Sequence, residues 1–154
     1  MITKQEIAEA QKSWANGIIN IGQSKDRGDQ YHLVAKEFIQ QHYTFESSTG
    51  CLFKPTKARE IPFRHSLKAA LSYFVGRDED YAEDKGFALE PWTEVEFKNS
   101  GYLLFEKTAV VMGQYQFTSR SGDTVNVEYT FGYERSDLGA LKINLHHSSV
   151  PYSA

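Results

Sequence analysis

The apolar residues of this 154-residue chain change their spacing partway along, and this change restricts the possible folds more than any other feature. Early in the chain they recur every three to four positions, as on one face of a helix; from residue 92 they alternate with polar residues, as in a strand. Because helices come first and strands follow, we predict an α+β domain rather than an alternating α/β one. The sheet of such a domain packs its helices on one face, and its other face is either wet or an interface.

The helices are predicted from caps and apolar stripes. Thr3 and Glu6 form the pattern of a capping box, which places the start of the first helix at Thr3. The inward stripe of that helix is predicted to contain Ile7, Ala10, Trp14, Gly17, Ile18 and Ile21. A second helix is expected over residues 29–41, and a third helix is expected to begin at Pro62 and continue to residue 74.

The strands are predicted from alternation and from turn residues. Residues 42–48 and 51–56 are expected to form a hairpin, and Asn99-Ser100-Gly101 is expected to be a turn. The remaining strands of an antiparallel meander are predicted over residues 92–98, 102–105, 108–118, 125–133 and 141–145.

Composition limits the class of protein. A chain of this length suits one domain, which we expect to span residues 1–154. The net charge of −3 and the lack of a long basic run argue against a nucleic-acid partner. The single cysteine, Cys51, fits a reducing compartment, and no apolar run is long enough to span a membrane. We therefore expect a cytoplasmic protein with neither a nucleic-acid nor a membrane partner.

Five segments in order along the chain resemble the association (hub) domain of calcium/calmodulin-dependent protein kinase II and similar microbial proteins. They are KQEI at 4–7, FKPT at 53–56, FRHSLKAALSYF at 63–74, EYTF at 128–131 and HHSSVP at 146–151. The resemblance implies the cone-shaped nuclear-transport-factor-2-like (cystatin-like, SnoaL-like) fold, with N-terminal helices packed on a curved antiparallel sheet. It also implies a pocket between sheet and helices, and homo-oligomers that assemble through the outer sheet face.

The chain differs from the hub at the pocket arginines of that family, two of which fall near Gln116 and Phe131. Without bidentate guanidinium groups, a strong preference for carboxylates loses its basis, although Lys54, Arg59 or Arg64 could supply charge instead. We therefore expect a small apolar or weakly acidic ligand. The predicted pocket residues are Trp14, Tyr43, Trp92, Tyr115, Gln116, Glu128, Phe131 and His146.

Three of these residues could carry catalysis. A carboxylate within the pocket has a raised pKa and can act as a general base, so Glu128 is a candidate together with Tyr115, Tyr43 or His146. The alternatives are that Glu128 faces solvent or pairs with Lys142, and that the histidine is a hydrogen-bonded core residue. His146 and His147 point to opposite faces of an extended strand, so they cannot share one metal ion, and the sequence leaves open which of them faces the pocket.

Two functions follow from these residues. We expect a self-associating, hub-like binding domain that is not an enzyme, forms a dimer-based and possibly ring-shaped oligomer, and uses neither a metal nor a cofactor. The alternative is a small-molecule isomerase, dehydratase or hydrolase that uses Glu128 or His146 in the same pocket. Because the fold supports both classes, the fold alone does not decide between them.

Overall fold

A computed structural model describes all residues from 1 to 154, and three helices precede most of its sheet. Helix α1 spans Lys4–Asp26, α2 spans Tyr31–His42 and α3 spans Leu67–Val75. The predicted capping box is confirmed, because the Thr3 hydroxyl accepts from the Glu6 amide at 3.1 Å and the Glu6 carboxylate accepts from the Thr3 amide at 2.9 Å. Helix α3 begins later than predicted, because Ser66 rather than Pro62 provides its N-cap by accepting from the Ala69 amide at 3.1 Å.

Five strands form one sheet on which the helices pack. They are β1 (Leu52–Lys54), β2 (Trp92–Leu104), β3 (Thr108–Ser119), β4 (Thr124–Arg135) and β5 (Leu141–Ser149). Their order in the sheet is β1-β5-β4-β3-β2, and every neighbouring pair except the parallel pair β1–β5 is antiparallel. The predicted α+β fold with helices on a curved antiparallel sheet is confirmed. No helix is both long and apolar enough to cross a membrane.

The predicted hairpin over residues 42–56 is wrong. Tyr43 forms a parallel bridge with Ile143, and strand β1 runs parallel to β5, so the two segments pair with β5 rather than with each other. This pairing places Tyr43 and β1 beside the end of β5, where two histidines lie.

The predicted turn at 99–101 is a bulge within the long strand β2. The Asn99 amide group donates to Gln11 of α1 at 2.9 Å and to the Tyr102 hydroxyl at 3.0 Å, and it also bonds the Tyr129 hydroxyl. Asn99, a residue type typical of turns, is thus held within the strand by hydrogen bonds to Gln11, Tyr102 and Tyr129. Bulges bend and twist the strand that carries them, which accounts for part of the curvature of the sheet.

A second bulge decides which histidine of β5 faces the helices. Gly132 of β4 is opposite Leu145 while Tyr133 is opposite Ile143, so Asn144 is the extra residue. In a regular strand, the side chains that face inward after Ile143 would be those of Leu145 and His147. Because of the bulge, they are those of His146 and Ser148 instead.

Trp14 lies at the centre of the core between α1 and the sheet. It is fully buried, and its ring lies within 5.6–6.2 Å, centroid to centroid, of six neighbouring rings: Phe38, Phe97, Tyr115, Phe117, Phe131 and His146. Such aromatic clusters bury a large apolar area in fixed geometries. The inward face of the sheet is therefore a rigid, ring-lined surface, and the one imidazole within it is that of His146.

Candidate active site

The imidazole of His146 lies at the centre of a buried network of hydroxyl groups. Its Nδ1 lies 2.8 Å from the Tyr43 hydroxyl, and its Nε2 lies 2.8 Å from Ser148 Oγ and 3.0 Å from the Tyr115 hydroxyl. Tyr115 and Ser148 are also hydrogen-bonded to each other. His146 and Ser148 are two residues apart on β5 and so share its inner face, while Tyr115 reaches them from β3.

Trp14 fixes the positions of the protons in this network. An indole nitrogen can only donate, and that of Trp14 donates to the Tyr43 oxygen at 3.0 Å. The Tyr43 hydroxyl must then use its own proton on its remaining partner, which is Nδ1 of His146. A neutral imidazole that accepts at Nδ1 carries its proton on Nε2. His146 therefore donates a hydrogen bond toward Tyr115 and Ser148.

A small cavity of about 10 Å³ lies beside Nε2, about the space that one water molecule needs. Its polar lining consists of His146, Ser148, Tyr115, Thr56 and Tyr73. His146, Ser148 and Tyr115 are hydrogen-bonded to one another, and the hydroxyls of Thr56 and Tyr73 line the same cavity beside them. The remaining walls are apolar and consist of Trp14, Phe53, Pro55, Phe74 and Phe87.

The site is uncharged at neutral pH. Burial lowers the pKa of His146 well below its ordinary value, and the electrostatic influence of nearby His147 lowers that pKa further. Burial raises the pKa of Tyr43, Tyr115 and Tyr73 above that of a free phenol. The cavity is therefore bordered by neutral hydrogen-bond donors, a set suited to stabilising negative charge as it forms on a small substrate.

Three of the residues predicted to line the pocket line this cavity, namely Trp14, Tyr115 and His146, and two more, Tyr43 and Phe131, pack against the His146 ring without lining the cavity. The Phe131 ring centroid is 4.5 Å from that of His146. Trp92 is buried next to Phe87, which separates it from the cavity, and its indole N–H donates to the Phe87 carbonyl at 2.7 Å. It supports the Phe87 wall and does not line the cavity itself.

Glu128 and Gln116 lie outside the cone, which corrects their predicted place in the pocket. Glu128 is exposed between the buried residues Val127 and Tyr129, so the alternation of β4 turns it to the outer face. Gln116 donates to Asn126 at 3.0 Å on that same face. The proposal that Glu128 is a buried general base is therefore wrong, and the alternative that it faces solvent is confirmed.

Three polar residues of the cavity lining were missed by the sequence interpretation. Ser148 had a usable signal, because it is two positions after His146 and must share its face in a strand. Thr56 and Tyr73 had none, because the segments that carry them meet the sheet only in the folded chain. Arg64, considered earlier as a pocket cation, is instead buried in an ion pair with Asp84 at 2.7 Å.

The donor set of the cavity consists of one imidazole and four hydroxyl groups. No three His, Cys, Asp or Glu side chains come together anywhere in the chain as a metal centre. Protein zinc sites use three or four such ligands, whereas the groups that line this cavity are suited to hydrogen bonding and proton transfer.

The fold and the site together define a nuclear-transport-factor-2-like cone with an uncharged, hydroxyl-lined cavity around a buried histidine. A family model described as metal-independent carbonic anhydrase matches residues 5–150. This chain belongs to that family.

Individual relatives agree with this assignment. The chain is 37% identical over 154 residues to the metal-independent carbonic anhydrase of Nostoc sp. (strain PCC 7120), with 98% of this chain and 75% of that protein covered. The crystal structure of the iota-carbonic anhydrase from a cyanobacterium, complexed with bicarbonate, superposes with a TM-score of 0.95 at 36% identity and covers 99% of this chain and 94% of that one.

A putative calcium/calmodulin-dependent protein kinase II association domain from Xanthomonas campestris has a TM-score of 0.68 at 20% identity, over 100% of this chain and 91% of that one. This likeness confirms the fold behind the resemblance to the kinase hub and shows no more than the fold. The expectation of a hub-like, non-enzymatic binding domain is wrong, because the family to which the chain belongs is one of enzymes. The alternative of an isomerase, dehydratase or hydrolase that uses Glu128 or His146 is overturned by the same family assignment.

Proposed function

We propose that this chain catalyses the reversible hydration of CO₂ to bicarbonate in the cavity beside His146, without a metal ion. Its family and its similarity to a bicarbonate-bound carbonic anhydrase support this proposal. The observation that carries it is the buried, uncharged cavity lined by five hydrogen-bond donors, of which His146, Tyr115 and Ser148 are bonded to one another. Neutral donors of this kind suit an anionic product such as bicarbonate, and the adjoining walls have to yield for the substrate to enter, because the cavity as it stands has the space of one water molecule.

The reaction requires two events at this site. The oxygen of a water molecule attacks the carbon of CO₂, one C–O bond forms, and one CO₂ oxygen takes up the electron pair of its broken π bond. One proton of the attacking water must then leave, so that bicarbonate and a proton are the products. The protein therefore has to stabilise negative charge on oxygen and accept a proton.

Ser148 and Tyr115 are suited to stabilise the developing charge. Both lie at the Nε2 side of His146, whose N–H is directed toward them by the chain from Trp14 through Tyr43. A hydroxyl that accepts a hydrogen bond becomes a better donor itself. Because the donors are already fixed in a dry site, they need little reorganisation when charge appears on the substrate.

The hydroxyls of Tyr115, Thr56 and Tyr73, which line the same cavity, offer a route for the proton. Each hydroxyl passes a proton on by accepting one and releasing its own, so none of them has to become charged for long. Tyr73 lies at the outer end of this series, where its hydroxyl also accepts from the Lys57 amide at 3.2 Å. We assign the three residues the role of a proton relay.

Stopped-flow measurement of CO₂ hydration with a pH indicator tests the proposal. We expect Ser148→Ala to lower kcat by roughly 10²-fold, the loss that follows removal of one preorganised donor to a developing oxyanion. Glu128→Gln, on the outer face, is the matched control and should keep wild-type activity. A wild-type protein without hydration activity, or equal rates for wild type and Ser148→Ala, would refute the proposal.

We also propose that the chain self-associates through the outer sheet face, as first expected. Met112 on this face is 53% exposed, and Leu103 is exposed beside it. Exposed apolar side chains on an otherwise polar sheet favour burial against a partner. Light scattering on a sizing column should give a mass above that of one chain, and Met112→Glu should lower it; a wild-type monomer at micromolar concentration would contradict this.

A further inference from the structure

One open cleft shares its walls with the buried cavity. This cleft, which we call the vestibule, has a volume of about 410 Å³ and is lined mainly by Lys57, Tyr73, Lys85, Phe87, Glu90 and Trp92. Two of these residues, Tyr73 and Phe87, also line the cavity beside His146, and their rings are stacked with centroids 5.5 Å apart. None of the other three larger clefts shares a lining residue with that cavity. The vestibule is therefore the approach to the site.

Lys57 lies where the vestibule meets the cavity. It follows Thr56 of the cavity lining directly, and its backbone amide donates to the Tyr73 hydroxyl at 3.2 Å. Its ammonium group lies 6.0 Å from the centroid of the Phe87 ring, a distance at which a cation interacts with an aromatic face. Lys57 thus contacts both rings that separate the vestibule from the cavity.

Lys57 forms no salt bridge with any acidic residue of the vestibule wall. Glu83 accepts from the backbone amides of Arg59 and Ile61 at 2.6 and 2.8 Å. Asp84 is held by the Arg64 guanidinium in a buried two-bond pair at 2.7 and 2.8 Å. Lys85 and Glu90, the two other charged residues of the wall, are exposed and opposite in sign.

We propose that Lys57 is the residue that attracts bicarbonate to the mouth of the cavity and holds it as it enters or leaves. This inference rests on the proposed function. An anion that moves from water into a cavity lined only by neutral donors loses hydration, which is costly unless a cation lies nearby. The ammonium group of Lys57 supplies that cation at the threshold while leaving the cavity itself uncharged. CO₂ carries no charge, so the ammonium group of Lys57 does not strengthen its binding.

The test measures the Kd of ¹³C-labelled bicarbonate by NMR line broadening, at mildly alkaline pH, in low and in high salt. At low salt we expect Lys57→Gln to weaken binding about two- to fivefold, the range for loss of one exposed charge interaction, and Lys57→Glu to weaken it further. Lys57→Arg should bind like wild type. High salt should shrink these differences, because exposed charges are screened.

Lys36→Gln is the matched control, since it removes one charge from an exposed position on α2 and should leave the Kd unchanged. The inference is overturned if Lys57→Gln and Lys57→Glu bind bicarbonate as wild type does at low salt, if Lys36→Gln weakens binding equally, or if the wild type binds no bicarbonate. A wild type that binds bicarbonate through Lys57 but does not hydrate CO₂ would refute the proposed function and support the role of Lys57.

Discussion

A single residue, Trp14, sets the direction of the hydrogen bonds that His146 itself makes. Because an indole N–H cannot accept, its bond to Tyr43 forces the Tyr43 proton onto Nδ1 of His146 and leaves the imidazole proton on Nε2. His146 then presents a donor, rather than a free base, to the hydroxyl groups of the cavity. The same burial that lowers its pKa keeps it neutral while it does so.

This role predicts different outcomes for two substitutions of His146. The amide nitrogen of a glutamine can occupy the place of Nε2 and donate as it does, so His146→Gln should keep measurable CO₂ hydration. His146→Leu removes the donor and should lose roughly 10²-fold in kcat. Steady-state kinetics across the neutral pH range provide the measurement, and equal losses in the two variants would instead favour a base at position 146.

At the scale of residues, the sequence predicted the ring-rich interior and two of the hydroxyl groups that bond His146, but it placed Glu128 wrongly. Tyr43 and Tyr115 each have an apolar ring and a polar hydroxyl, so the sequence fits a core role and a site role equally well. In the structure both form hydrogen bonds with His146. Glu128 was proposed because a carboxylate is a familiar base. The alternation that makes Val127 and Tyr129 buried, however, requires Glu128 to be exposed.

At the scale of elements, the segment that carries Phe87 is anchored from behind by one buried ion pair. The side chains of Arg64 and Asp84 are both 0% exposed, and Asp84 also accepts from the Ser72 hydroxyl of α3 at 2.6 Å. Asp84 is three residues from Phe87, so this pair ties the wall of the vestibule to α3. The position of the cavity mouth therefore depends on it.

Asp84→Asn should destabilise the protein by about 3–5 kcal/mol, because it leaves the Arg64 charge buried without its partner. Denaturant unfolding measures the change. Asp80→Asn is the control from the same segment: Asp80 also pairs with a cation, Lys68 at 2.7 Å, but that pair is exposed, and its loss should cost under about 1 kcal/mol. Similar losses in both variants would mean that the buried pair has no special role.

The elements show where periodicity is informative and where it is not. The first helix and the long strands followed from spacing and from the capping box, which are local signals. The bulges at Ser100 and Asn144 did not, because each depends on partners far along the chain, such as Gln11 for Asn99. The second of these bulges decides that His146, rather than His147, faces the cavity.

At the scale of the whole molecule, two buried histidines make stability depend on pH. Burial lowers the pKa of both His42 and His146 in the folded chain. The unfolded chain therefore binds more protons once the pH falls below the ordinary histidine value of about 6.5, and the free energy of unfolding falls with it. Carboxyl groups with a lowered pKa, such as Glu6 with a pKa of about 2, reduce the free energy of unfolding further only at more acidic pH.

Between about pH 6.5 and 5, we expect the free energy of unfolding to fall with decreasing pH, by at most about 1.4 kcal/mol per pH unit for each histidine. Urea unfolding at several pH values gives this slope. His146→Gln should make the slope shallower, since the glutamine does not titrate. A stability that stays constant over this range, or rises, would contradict the burial of neutral histidines.

The molecule's function was the part least accessible from the sequence. The order of segments identified the fold correctly, but the fold is shared by binding domains and enzymes alike. What separates the two is the cavity, and the cavity is assembled from β1, β3, β5, α1 and α3 by long-range pairing. Neither composition nor spacing contains that information.

The central claim is that hydroxyl groups and one imidazole of the protein catalyse the hydration of CO₂ without a metal ion. It is tested most directly by measuring the rate of ¹⁸O loss from labelled CO₂ before and after treatment of the protein with a strong zinc chelator, with the metal content determined in parallel. The account predicts the same rate per protein molecule in both samples and no increase when zinc is added. Activity that disappears with the chelator and returns with zinc would contradict it.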